Sequence, residues 1–124
     1  MAAYLFRLRW TAAVLIAAAA GGAEPSGRPA LFYDSTVRQV AFAAAEIRKE
    51  TAARGGSLNE RGLADLGASD SPVRYVITSG AEAGAAAASA LGISYPRLSR
   101  PEAYAIRRLD HGGRTTIAVF GADP

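Results

Sequence analysis

Hydrophobic and polar positions predict a strand and then an alanine-rich helix after residue 30. The run Ala30–Asp34 is short and apolar and is followed by polar residues, which is typical of a strand. Thr36 and Gln39 have the spacing of a capping box, so we expect a helix to begin there and to end at Gly55–Gly56. Apolar residues recur at helical spacing along it, at Val37, Val40, Ala41, Ala44 and Ile47.

A second strand and a second helix follow a segment that has no clear pattern. Within residues 56–72, three leucines are enough for one helical turn, and glycine, serine and proline favour a loop around it. Ser79 and Glu82 repeat the capping-box spacing before a thin helix of alanine and leucine that Gly92 ends. The intervening segment Val73–Thr78 alternates, and its apolar face carries Val73, Tyr75 and Ile77.

The last part of the chain predicts a β-hairpin. Glu102–Leu109 alternates as an amphipathic strand, and Asp110–Gly113 contains two glycines that supply the positive φ of a tight turn. Arg114–Phe120 is the expected return strand, with Ile117 and Val119 on one side.

These elements predict an α+β fold: a small mixed β-sheet with helices packed on it, in the sequence order β-α-β-α-β-β. Each apolar sheet face needs a cover, and helices rich in alanine bury little area. The face beside the return strand is thus short of a cover, and we expect the isolated domain to be marginally stable.

The first residues have the pattern of a signal peptide. Residues 1–23 combine a basic start, an apolar stretch and small residues, so we expect cleavage after Ala23, with Ala20 as the alternative. The apolar stretch is eleven residues long, and an uncleaved membrane anchor needs about 20. Residues 24–29 then form a linker and residues 30–124 the domain, in a protein that is secreted or periplasmic.

Composition excludes several function classes. The chain has 124 residues and no cysteine, which excludes a thiol nucleophile, a zinc ribbon and a disulfide. The formal net charge is +3, and removing residues 1–23 leaves 12 basic and 11 acidic residues. The arginines are scattered, so no phosphate-neutralising stripe is present and we expect no nucleic-acid partner.

Candidate catalytic groups each have a simpler structural interpretation. His111 follows Asp110, which is the pairing of an oriented general base, but it also fits a solvated turn. Ser79–Gly84 joins a strand to a helix without the glycine spacing of a dinucleotide site. Glu46 and Glu50 lie one helical turn apart, where an ion-paired surface is the simpler interpretation of two carboxylates.

The residues that could bind a metal ion or a sugar also allow a structural interpretation. Asp34, Asp65 and Asp70 lack the spacing of a metal-binding loop. Four tyrosines could stack on a sugar or pack with their hydroxyls in water, namely Tyr33, Tyr75, Tyr95 and Tyr104.

The hairpin carries a resemblance to a known family. Pro101–Arg107 contains Glu-Ala-Tyr-Ala-Ile, and Thr116–Asp123 contains Ile-Ala-Val-Phe-Gly-Ala-Asp. These segments resemble the N-terminal α/β domain that precedes the catalytic barrel in α-glucuronidases and in several β-N-acetylhexosaminidases. The similarity extends over Ala30–Pro124, and it favours the α-glucuronidases.

The resemblance implies an accessory domain rather than an enzyme. Catalytic carboxylates of that family lie in the barrel, so no catalytic, cofactor-binding or metal-binding residue is assigned to this chain and no cofactor is expected. The expected partner is the downstream barrel, with a polysaccharide as a further candidate and no membrane span after signal cleavage. The alternative is a complete small exported binding module.

Overall fold

Five strands form one mixed sheet in the computed structural model, which describes residues 27–123. Their order in space is β2-β1-β3-β5-β4, in which β4 is antiparallel to β5 and all other neighbours are parallel. The strands are β1 (Ala30–Tyr33), β2 (Asn59–Arg61), β3 (Val73–Ser79), β4 (Tyr104–His111) and β5 (Arg114–Gly121).

One helix packs on each face of this sheet. Helix α1 (Arg38–Ala53) connects β1 to β2, and helix α2 (Ala81–Leu91) leads from β3 towards the hairpin. The two connections run in opposite directions along the sheet, so crossovers of one handedness place the helices on opposite faces. A short 3₁₀ helix (Leu63–Ala68) joins β2 to β3 and packs beside α2.

The face under α2 holds the larger core. Phe32, Val76 and Phe120 are fully buried there, together with Leu66 of the 3₁₀ helix. The ring of Tyr95 covers Phe120 edge-on, with the ring centroids 5.8 Å apart and the planes at 82°. Alanines of α2 complete this layer, because their small side chains let the helix lie close to the sheet.

The face under α1 holds a smaller core that stops at β3. Leu31 and Ile77 from the sheet pack against Val40 and Ala44 of α1. Helix α1 lies over β1 and β3. Within the described residues, β5 and β4 carry no helix on this face.

The mixed sheet and the hairpin are confirmed. Gly112 and Gly113 form the two-residue turn with φ of 59° and 76°, values that an L-residue adopts only with strain. The buried side of β5 is the one that carries Thr116, Ala118 and Phe120, while Ile117 and Val119 are only half-buried. Apolar character alone did not identify the covered side, because cover depends on where the helices lie.

The predicted order of six elements is wrong in one respect, because the strand β2 lies between α1 and β3. The single helical turn that the leucines of residues 56–72 allowed is present as the 3₁₀ helix. Strand β2 has the sequence Asn-Glu-Arg, which carries no apolar alternation. It exists because its backbone pairs with β1 at the sheet edge, with Leu31 opposite Glu60. An edge strand can be polar because it needs no burial on either face.

Neither expected capping box forms. The N-cap residue is Val37 in α1 and Gly80 in α2, and at neither helix does a side chain form a capping hydrogen bond. Thr36 is instead held by Asp34, whose Oδ1 accepts from the Thr36 backbone N at 2.9 Å and from its Oγ1 at 2.6 Å. Thr36, which the sequence spacing predicted as a helix cap, thus takes part in the turn before the helix instead.

The predicted signal peptide, residues 1–23, lies outside the described residues. Of the predicted linker 24–29, only its end is described. There the Arg28 carbonyl accepts a hydrogen bond from Ser71 Oγ at 2.7 Å, and the Pro29 carbonyl accepts one from Asn59 N at 2.9 Å. Across residues 27–123, none of the helices combines the length and the apolar character that crossing a bilayer requires.

Candidate functional site

An uncovered apolar surface lies on the α1 side of β5 and β4. The strand register sets Ile117 beside Tyr75, Val119 beside Ile77, and Ile106 beside Val119. Tyr104 and Ile106 are 71% and 56% exposed, although large apolar side chains on a covered sheet face are normally buried. We call this surface the apolar sheet face and define it by Tyr104, Ile106, Ile117 and Val119.

The apolar sheet face has the width of one helix. Adjacent strands lie about 4.8 Å apart, so β5 and β4 together present a strip roughly 10 Å wide. Packed helices also lie about 8–10 Å apart. One further helix beside α1 would therefore fit on this strip.

Another exposed aromatic side chain, Phe42, belongs to a different surface. It is 69% exposed and belongs to α1. Together with Thr36, Val37 and Arg38 it lines a shallow groove at the start of this helix. Phe42 therefore serves as a comparison for the apolar sheet face.

The Gly-Ala-Asp end of β5 has a structural role. Gly121 lies beside β3, where a Cβ would make an ordinary contact, 3.4 Å from the Thr78 carbonyl oxygen. The Gly121 carbonyl accepts from Gly80 N at 3.0 Å, which fixes the start of α2 against β5. Asp123 Oδ2 accepts from Glu102 N at 2.7 Å and holds the start of the hairpin, where Glu102 has a φ of 63°.

The structure separates His111 from Asp110. Successive residues of a strand point to opposite faces, and the Asp110 carboxylate points to the α1 side. There it accepts hydrogen bonds from Thr115 Oγ1 at 2.7 Å and from Arg108 Nε at 2.9 Å. The bonds from Thr115, and secondarily from Arg108, lower the Asp110 pKa below its ordinary value. Asp110 is therefore engaged elsewhere and does not orient His111 as a general base.

The other carboxylates are also apart. Glu46 and Glu50 are both exposed on α1. Asp34 closes the turn before α1, and its hydrogen bonds from the Thr36 hydroxyl and backbone lower its pKa. Among residues 27–123, no group of three or more acidic or histidine side chains is placed to bind a metal ion.

The four tyrosines do not form one platform. Tyr95 lies on the α2 side, whereas Tyr75 and Tyr104 lie on the α1 side. By register, Tyr75 is level with Ile117 and Tyr104 with Gly121, a separation of about 13 Å along the strands. Tyr33 donates its hydroxyl to Glu60 Oε1 at 2.8 Å. A continuous sugar-stacking surface of these residues is absent from the described part of the chain.

An ion pair ties α1 to the edge strand. Arg48 Nε donates to Glu60 Oε2 at 2.7 Å, and Glu60 also accepts from Tyr33 of β1. The hydrogen bond from Arg48 is the main cause that lowers the pKa of Glu60, and the bond to Glu60 is the main cause that raises the pKa of Tyr33. This cluster supports the polar strand β2 rather than chemistry.

Sequence reasoning did not find one cavity, which lies on the α2 side of the sheet. It has a volume of about 630 Å³. We call it the arginine cavity and define it by Arg74, Leu91, Ile93, His111, Arg114 and Thr116. The signal in the sequence was Arg74, the one charged residue of the strand Val73–Ser79.

The glycines at the start of α2 pack and do not form a cradle for phosphate. Gly84 is buried, and a Cβ there would lie 3.0 Å from Tyr95 Cζ and closer still to the neighbouring Cε2. Gly80 is needed for its φ of 92° at the helix start. Ser79–Gly84 is thus explained by packing.

Comparison of the chain with protein-family models, with curated proteins and with solved structures found no match.

Proposed function

We propose that this chain is a non-catalytic accessory domain of a secreted carbohydrate-active enzyme similar to the α-glucuronidases. It contributes scaffold and interdomain contact rather than chemistry. The single observation that carries the proposal is the apolar sheet face, where Tyr104 and Ile106 are exposed beside a helix-covered half of the same sheet. The proposal that the protein is secreted is supported by the signal-peptide pattern of residues 1–23. The proposal that it belongs to a carbohydrate-active enzyme is supported by the resemblance of the hairpin segments.

The occupant that we propose for the apolar sheet face is an apolar helix of the adjoining catalytic part. The strip beside α1 has the width of one helix, and its outer margin carries the ion pair between Arg108 and Asp110 at 2.9 Å. A helix with one apolar stripe and a polar outer face would bury Ile106 and Val119 and leave that margin in water. Burying exposed aliphatic side chains contributes about 25 cal/mol per Å² of apolar area.

The proposal can be tested with the polypeptide encoded directly after residue 124. A peptide covering its first helix, added to the 124-residue chain, should bind, and Ile106→Glu should weaken binding at least tenfold. Phe42→Glu is the matched control, because it places the same charge at an equally exposed apolar position on α1. A reading frame that stops after Pro124, or equal losses in both variants, would refute the proposal.

The absence of chemistry is tested separately. The purified chain should not hydrolyse nitrophenyl glycosides, including the α-glucuronide and the β-N-acetylglucosaminide. Glu46 and Glu50, the neighbouring carboxylates that the sequence offers for such chemistry, are both exposed on α1. Turnover that survives repurification and is lost on heating would contradict an accessory role.

A further inference from the structure

The arginine cavity collects basic side chains on one face at one end of the sheet. The register sets Arg74 beside Thr116 and His111 beside Arg114, and alternation along the strands directs all four towards the α2 side. Asp110 is also a lining residue, but its carboxylate accepts hydrogen bonds from Arg108 and Thr115 on the opposite face of the sheet. Among the described residues, no other carboxylate belongs to the lining of the cavity.

Arg74 is held in place by a hydroxyl group, and within residues 27–123 it forms no ion pair with a carboxylate. Its Nε donates to Thr116 Oγ1 at 3.0 Å, and the side chain is partly buried in the sheet. Burial, and secondarily the charge of Arg114, lowers the pKa of Arg74. Two like charges that share a cavity favour an anion between them, since it relieves their repulsion and binds the planar guanidinium groups.

Apolar walls complete the cavity. Leu91 and Ile93 border it where α2 ends, and Leu109 borders it from β4. A volume of about 630 Å³ lies within the roughly 300–1,000 Å³ of small-molecule sites, and it exceeds what a single inorganic ion fills. Low-dielectric walls also strengthen the field of the arginines inside the cavity.

We infer that the arginine cavity binds a small organic molecule through an oxyanion group, which Arg74 and Arg114 hold while Leu91 and Ile93 pack against its apolar part. Arg114 is anchored for this role, because its Nη1 donates to the Ser69 carbonyl at 3.0 Å. The cavity lies on the opposite face from the apolar sheet face. The inference is therefore independent of the proposed function.

The test is an NMR titration of the 124-residue chain with inorganic phosphate, with acetate and with benzoate, and with glycerol as the neutral control. Signals of the Arg74 Nε–H and the Thr116 amide should shift and saturate at millimolar concentrations of at least one anion. Tighter binding of benzoate than of acetate would support the apolar walls, and tighter binding of phosphate would identify the group as a phosphate. Shifts that do not saturate with any anion, or that glycerol reproduces, would overturn the inference.

Variants locate the site. Arg74→Gln and Arg114→Gln should each weaken the tightest anion at least tenfold, which corresponds to about 1.4 kcal/mol. Arg107→Gln is the matched control: it removes the same charge from the same side of the sheet, on β4 and outside the cavity lining, and should leave the affinity within twofold. Equal losses in all three variants would show a general charge effect and overturn the site. Arg114 is exposed next to the hairpin turn, so its variant keeps the test valid if Arg74→Gln fails to fold.

Discussion

Gly84→Ala tests the close approach between α2 and Tyr95. Alanine is the better helix former by about 1 kcal/mol, so local propensity alone predicts stabilisation. However, the added Cβ would lie 3.0 Å from Tyr95 Cζ and closer still to Cε2, where ordinary contacts begin at 3.4 Å. The Tyr95 ring must therefore move, which also disturbs its edge-on contact with Phe120.

The steric term should exceed the gain in propensity. Overpacking costs about 1–3 kcal/mol, and a lost aromatic pair costs about 0.5–1.5 kcal/mol. After the helix gain is subtracted, we expect Gly84→Ala to lower the free energy of unfolding by about 0.5–3.5 kcal/mol. For a domain of this size, each kcal/mol lowers Tm by roughly 4–8 °C.

The assay is urea unfolding of the chain followed by circular dichroism. Gly67→Ala is the control: nothing lies within 4 Å of the position that its methyl group would take in the 3₁₀ helix, so it should not destabilise. In a Tyr95→Leu background the Gly84→Ala change should become neutral or stabilising, because the ring is gone. The same change in free energy in both backgrounds, or a wild-type stability for Gly84→Ala alone, would refute the steric argument.

Two further predictions concern the sheet edge and the hairpin turn. The lowered pKa of Glu60 means that its ion pair with Arg48 stabilises the fold above the ordinary glutamate value of 4.5, and this stabilisation is lost as the pH falls through the lower folded-state pKa. Glu60→Gln removes the carboxylate of this ion pair, so Tm measured by scanning calorimetry should fall less steeply as the pH is lowered. The control is Glu46→Gln, which changes an exposed residue of α1 and should leave this dependence of Tm on pH as it is in the wild type. Gly113→Ala should cost about 1–2 kcal/mol in urea unfolding because its φ is 76°, and a cost no larger than that of Gly67→Ala would contradict this.

The elements that could be predicted from the sequence are those with strong local signals. The glycine pair at Gly112–Gly113, the helical spacing in α1 and the β-branched run of β3 each act over a few residues. Strand β2 could not be predicted, because Asn-Glu-Arg becomes a strand only by pairing with Ala30–Phe32. The capping box predicted at Thr36 and Gln39 was wrong because Asp34 accepts the hydrogen bonds of Thr36.

The candidate sites depended on contacts between distant parts of the chain. Arg74 and Thr116 are 42 positions apart and meet only through the pairing of β3 with β5. His111 and Asp110 are adjacent in sequence, yet the strand directs them to opposite faces. Proximity along the chain was therefore a poor guide to chemistry here, and sheet register was the missing information.

The outer edge of β4 has a consequence for how copies of the chain behave at high concentration. This eight-residue strand pairs with β5 on one side. Within residues 27–123 no strand pairs with its other edge, which could therefore pair with a strand of a second chain. An antiparallel alignment of two such edges about a two-fold axis at Arg107 or at Arg108 would set that arginine directly against the same residue of the other copy, and like charges placed opposite each other repel. Dimerisation by this route is thus opposed electrostatically at low ionic strength, and added salt weakens the opposition.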